Sequence, residues 1–316
     1  MSDYKTTLVS RFREYRRTHF GNADAFFDRG STATERPPVF KKEHASRNVL
    51  RKAGSPEEDL CKVLAAIPPE KRHEWFGSMA SSQALAQSVF GNLIIYGKLG
   101  LLDALAGDDG KPFFFSHTAA KRYCELEAEV DYLGEKPRGR TSIDVFFKGE
   151  YRIAVECKLS EEDVGLCSRP ELKPVDRSYC DGTYSPQLGR RDRCSLTASG
   201  VKYWTYIPQL FDWPADRDHF PCPVHSTYQL VRNILAACVR NGEVQLDAGH
   251  VVLIYDERNP AFQEDGDGMK AWQTVRAALK SPSLMQRCSW QQVVRCLRNK
   301  HEMDWLTSAL AEKYGF

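Results

Sequence analysis

The sequence predicts an α/β fold, a central mixed β-sheet of roughly five strands flanked by helices, with helical additions at both ends. Three observations carry that expectation. Two strand patterns meet at a tight turn in SIDVFFKGEYRIAVECKLS, residues 142–160. A helical run, TYQLVRNILAACVRNG, feeds the apolar strand of HVVLIYDERNPAF, the order that a sheet with flanking helices requires. Both ends of the chain carry helical spacing of apolar residues in place of alternation.

Composition narrows the class. The chain has 316 residues, 42% of them apolar, enough for a substantial buried core. No apolar run approaches the roughly 20 residues of a membrane span, and MSDYKTTLVSRFREYRR lacks the apolar centre of a signal peptide, so a cytoplasmic protein with no membrane partner is expected. Ten cysteines in that setting argue for reduced thiols or metal ligation and against a disulfide framework. The net charge is only +2, so a nucleic-acid partner must be argued from where the charge lies.

Residues 1–110 read as a helical region with a basic arm. The first 52 residues hold twelve Lys or Arg against six Asp or Glu. Val9, Phe12, Tyr15 and Arg16 have helical spacing, which gives an amphipathic helix with a basic outer face. That face is either a phosphate-contacting arm or a solvated surface with Arg stems lying over apolar groups. Ser55-Pro56-Glu57-Glu58 is a helix start, and Leu85, Val89, Leu93 and Tyr96 make the buried stripe of a helix that Gly97 closes.

Residues 111–262 read as the strand-bearing core. PFFFS and YCELEAEVDYLG open it, and in the second Leu126, Ala128, Val130 and Tyr132 alternate with an acidic face of Glu125, Glu127, Glu129 and Asp131. A turn-rich insertion of about residues 160–225 holds Cys167, Cys180, Cys194 and Cys222. None of these forms a CxxC pair; they are either buried free thiols or the ligands of a structural Zn²⁺ or iron–sulfur cluster. Residues 263–316 read as a C-terminal helical cap.

The hairpin carries the chemistry. With Lys148-Gly149-Glu150 as a three-residue turn, Phe147 faces Tyr151 and Asp144 faces Ala154, and alternation puts Asp144, Glu156 and Lys158 on one side. Asp144 and Glu156 are then diagonal neighbours, about 7–8 Å apart at the backbone. Two bare carboxylates brought to about 4 Å in a partly dry site repel by roughly 4 kcal/mol at an effective dielectric of about 20, so a proton or a hard divalent cation, Mg²⁺ or Mn²⁺, belongs between them.

Asp144, eleven intervening residues, and Glu156-Cys157-Lys158 closing an apolar strand resemble the PD-(D/E)XK nuclease superfamily, the restriction-endonuclease-like fold. Ser142-Ile143 stands where the motif's name has Pro before the Asp. The resemblance implies that Asp144 and Glu156 hold one or two metal ions and that Lys158 orients or activates the attacking water, in a metal-assisted nuclease acting on DNA. It also implies a third ligand from the first strand, Glu127 or Glu129, with Glu129 as the named candidate and a solvated acidic edge as the other reading of these residues, and a polar residue from the preceding helix, Gln83 or Gln87. Lys136, Arg138 and Arg140 before the hairpin, and Arg190, Arg191 and Arg193 in the insertion, are the candidate phosphate contacts. Two other readings use the same residues: a nucleic-acid-binding or scaffold protein that keeps the fold without cleaving, and a sugar- or nucleotide-processing enzyme with the same carboxylate pair. The sequence leaves open DNA against RNA, endo against exo cutting, and a homodimer.

Overall fold

Apolar residues run without a break through Ile153–Val155 and Val251–Ile254, and both segments are central strands buried on two faces. The computed structural model describes residues 3–21, 25–28, 35–107, 123–135 and 142–316. The expected PFFFS strand and the loop carrying Lys136, Arg138 and Arg140 lie outside the described residues.

One sheet runs in the order β1 (Tyr123–Glu129), β2 (Ser142–Lys148), β3 (Arg152–Cys157), β4 (Gly249–Tyr255) and β5 (Met285–Ser289). Neighbours are antiparallel from β1 to β3, and β4 and β5 continue parallel to β3. The mixed sheet with flanking helices is therefore as the sequence predicts. The helices are α1 (Asp3–Phe20), α2 (Glu57–Ala65), α3 over 82–95 with a π turn at Gln87–Gly91, and α4 (Tyr203–Leu210). They continue as α5 (Tyr228–Cys238), α6 (Asp267–Ala278), α7 (Trp290–Arg298) and α8 (Asp304–Tyr314).

Each face of the sheet has its own core. Val145, Val155 and Val252 pack with Phe12, Phe90, Trp290 and Leu310, from α1, α3, α7 and α8. Ala154, Val251 and Leu253 pack on the other side with Ile207, Ile234 and Trp272, from α4, α5 and α6. The N-terminal helix is fastened into the first core: Phe12 is fully buried, its ring 5.7 Å edge-on from that of Tyr314. The Tyr4 hydroxyl donates to the Leu159 carbonyl at 2.8 Å.

Three local features differ from the sequence reading. β2 keeps Lys148 in the strand, paired with Tyr123 and ion-paired with Glu125, so the turn is Gly149-Glu150-Tyr151 and Phe147 faces Ile153. Extending that register sets Asp144 directly across from Glu156, nearer than the expected diagonal. Inside the expected C-terminal helical cap, Met285–Ser289 adds the fifth strand; only Met285 and Cys288 enter the two cores, and no β-branched residue marks it. Finally, α5 stops at Cys238, where a small hairpin pairs Val239–Arg240 with Glu243–Val244 across Asn241-Gly242, both at positive φ.

Candidate active site

At the end of the sheet where β2 begins and β3 ends, a cavity of about 920 Å³ opens onto Asp144, Glu156, Lys158, Glu127 and Glu161. The hairpin brings the first three together. Cys157 N–H donates to Asp144 Oδ2 at 2.6 Å, which ties the strands across the site. Lys158 Nζ sits 2.9 Å from Glu156 Oε1 and donates to Gln229 Oε1 at 2.8 Å. The second oxygen of Glu156 accepts from Asn233 Nδ2 at 2.8 Å.

Glu127 comes from β1, and a break in alternation delivers it. Leu126 with Val145 packs on one face of the sheet, whereas Ala128 with Ile143 packs on the other. Between them Glu127 has φ 49°, in the left-handed region, and its carboxylate turns into the cavity to accept from the Ser142 hydroxyl. Glu129 is exposed and does not line the cavity, so the candidate third carboxylate is Glu127 in its place.

Burial decides the electrostatics. It raises the Asp144 carboxyl well above the usual range, with Glu156 and Glu127 adding to the effect. It also raises Glu127, with Glu156 contributing. For Lys158 burial alone would lower the pKa, but Glu156, Glu161 and Asp144 outweigh it and the net shift is upward, so the ammonium stays charged. Three carboxylates of β1, β2 and β3 thus share one partly dry site with a single lysine. Among the described residues no three His, Cys, Asp or Glu side chains stand in finished ligating geometry, the carboxylates being engaged by Ser142, Cys157, Lys158 and Asn233. Their hard oxygens are the donor set that suits Mg²⁺ or Mn²⁺.

The helices complete the frame. Gln83 of α3 lines the cavity, but its Oε1 accepts from His73 N–H at 2.8 Å, and its amide donates to the Lys71 carbonyl at 3.1 Å. Gln87 is fully buried and donates to the carbonyls of Val63 and Leu64, away from the site. Gln229 and Asn233, one turn apart on α5, were not marked by the sequence reading; polar residues at one-turn spacing among Leu230, Ile234 and Leu235 were the available signal. Arg232, also fully buried, donates to the Ser142 carbonyl at 2.9 Å and pairs with Glu135 at 3.1 Å, pinning the start of β2. Glu161 was missed as well; it accepts from Leu159 N–H at 2.6 Å and from the Ser82 hydroxyl at 2.5 Å.

The basic candidates of the insertion lie elsewhere. Arg190 donates to the carbonyls of Arg177 and Tyr179 at 2.9 and 2.8 Å, and Arg193 pairs with Asp218 at 2.7 Å, so both tie loops together. Arg191 is exposed, and none of the three lines the cavity. Arg36, His73 and a largely exposed Trp75 stand at the cavity instead. Cys167, Cys180, Cys194 and Cys222 gather around a second, small cavity.

No helix among the described residues is long and apolar enough to cross a membrane. Comparison with curated proteins and with solved structures gives no match. The model of one protein family, described as restriction endonuclease associating with ARP, matches residues 13–315, nearly the whole chain and both flanking helical regions as well as the sheet. The chain belongs to this restriction-endonuclease family.

Proposed function

We propose that the protein is a metal-dependent nuclease that hydrolyses phosphodiester bonds, with DNA as its substrate. The observation that carries the reading is the convergence of Asp144, Glu156 and Glu127 with Lys158 on one cavity, in a chain of a restriction-endonuclease family. Asp144 and Glu156, with Glu127 beside them, are the residues that would hold Mg²⁺ or Mn²⁺. When bound, the ion supplies charge stabilisation at the phosphoryl oxygen and acidifies the attacking water.

The protein's own groups do the rest. Lys158, kept protonated by its carboxylate neighbours, is a donor and not a base; it positions the nucleophile and neutralises charge developing on the phosphoryl group. Glu156 and Gln229 fix the ammonium from two sides, so little reorganisation is needed as charge develops. At the mouth, the exposed ring of Trp75 offers a stacking surface for a base, and Arg36 offers a phosphate contact.

The test is cleavage of linear DNA, circular DNA and RNA, with and without Mg²⁺ or Mn²⁺, by the wild-type chain and by Asp144→Ala. Divalent-dependent cutting of DNA that disappears in the variant is the expected result. Substrate binding without cutting under every condition would favour the non-cleaving scaffold.

A further inference from the structure

The segment between β3 and α4 has little regular structure: over 160–202 it contains one 3₁₀ turn, Arg169–Glu171, and one short helix, Ser195–Ala198. A stretch of that length inside a packed domain needs some other source of order. Cys167, Cys180 and Cys194 come from this stretch, and Cys222 from the loop that follows α4. All four line one cavity of about 20 Å³.

The thiols sense one another. Cys167 is influenced by Cys194 and Cys180, Cys194 by Cys180, and Cys222 by the other three. Burial raises the Cys167 and Cys222 thiols.

The loops are fastened around this point. Cys167 N–H donates to the His225 carbonyl at 2.8 Å, and Cys222 N–H to that of Gly182 at 2.9 Å. Tyr184 stacks on Trp204 with ring centroids 3.6 Å apart, and both line the cavity with Leu196 and Val224, shielding it. His225 lines it too, and its buried Nδ1 has no hydrogen-bond partner among the described residues.

We propose that Cys167, Cys180, Cys194 and Cys222 bind one structural Zn²⁺ through four thiolates, and that this ion orders the insertion beside the catalytic sheet. Four cysteines around one point are the ligand set of a tetrahedral structural Zn²⁺. Among the described residues no three His, Cys, Asp or Glu side chains stand as a ready ligand set, so ion binding requires the four thiols to draw together.

The test uses the whole 316-residue chain, purified without chelator, with elemental analysis by plasma mass spectrometry and a Co²⁺-exchanged sample read by absorption. The proposal predicts about one zinc per chain and, with Co²⁺, thiolate charge-transfer and tetrahedral bands. Both signals should persist in Asp144→Ala and in Cys61→Ser, and be lost in Cys180→Ser and Cys222→Ser. Because the cobalt spectrum is read on the wild-type chain, a misfolded variant does not leave the question open. Protein free of zinc, whose proteolysis pattern is unchanged by chelator and whose four thiols titrate freely, would overturn the site. Iron with inorganic sulfide would overturn the choice of zinc.

Discussion

Glu127 holds a backbone conformation that L residues other than Asn and Asp seldom adopt, φ 49° in the middle of a strand. Such a position costs about 1–3 kcal/mol and persists where the surroundings fix it. Here the distortion turns a carboxylate into the cavity that regular alternation would have placed differently. Glu127→Gln should therefore weaken divalent-ion binding and reduce cleavage, whereas Glu129→Gln should change neither; equal effects of the two would refute the assignment of Glu127. The buried carboxyls also set a pH dependence. Burial, then Glu156 and Glu127, raises the Asp144 carboxyl, and burial raises Glu127. Each binds its proton more tightly in the folded state, so its contribution is fully present below the unfolded carboxyl pKa of about 4 and is lost as pH rises through the elevated folded values. Thermal melts of chelator-treated protein should fall in Tm as pH rises above about 4, less steeply in Asp144→Asn, and Mn²⁺ should offset the loss. Identical slopes for the wild type and Asp144→Asn would contradict this.

The site is assembled by elements far apart in the chain, and α5 is the one that locks it. Gln229 is held against Lys158 by the loop after β3, where Gly165 has φ 92° and an added Cβ would lie 1.8 Å from Gln229 Oε1. Gly165→Ala should displace Gln229, leave the lysine ammonium held by Glu156 alone, and lower single-turnover cleavage about tenfold or more with ion affinity little changed. Unaltered cleavage in a folded Gly165→Ala variant would show that the clamp does not matter. Much of this architecture was legible in the sequence. Asp144, Glu156 and Lys158 share a face because strand period is local information, and the face assignment survived a two-residue error in pairing since such a shift preserves parity. The turn itself was misplaced because Lys148 is kept in β2 by Tyr123 and Glu125 of a third strand, a tertiary constraint. Met285–Ser289 became a strand by pairing with β4, without any β-branched residue to announce it. Alternation could not separate Glu127 from Glu129 as the third carboxylate, because it fails at Glu127, whose φ within β1 is positive. That Arg190 and Arg193 tie loops together was not legible, because a guanidinium in that role has the same sequence signature as one that meets a phosphate.

At the scale of the molecule, the N- and C-terminal helices close one face of the sheet, with α1 packed along α8 and touching the end of β3. Phe12 meets Tyr314, His19 meets Glu312 at 2.7 Å, and Tyr4 reaches both Leu159 and Asp256. Helix α1 is thus part of the fold's core, with Arg11 and Arg17 exposed on its outer side. Phe12→Ala should cost about 3–5 kcal/mol in denaturant unfolding, the usual range for emptying a fully buried aromatic site, and a loss under about 1 kcal/mol would mean that α1 is not integral. That frame holds the three strand carboxylates, Glu127, Asp144 and Glu156, with Lys158 in a shared cavity, and the central claim is that they divide the labour of a nuclease. The most direct measurement pairs calorimetric Mn²⁺ titration with single-turnover DNA cleavage for the wild type, Glu156→Ala and Lys158→Ala. Glu156→Ala should lose ion binding and cleavage together. Lys158→Ala should bind the ion as well as the wild type or better, because a nearby positive charge is gone, yet cleave about 10²–10³-fold more slowly. Undiminished cleavage by Lys158→Ala, or unchanged ion binding by Glu156→Ala, would contradict the account and leave the hairpin a structural element with three coincidental charges.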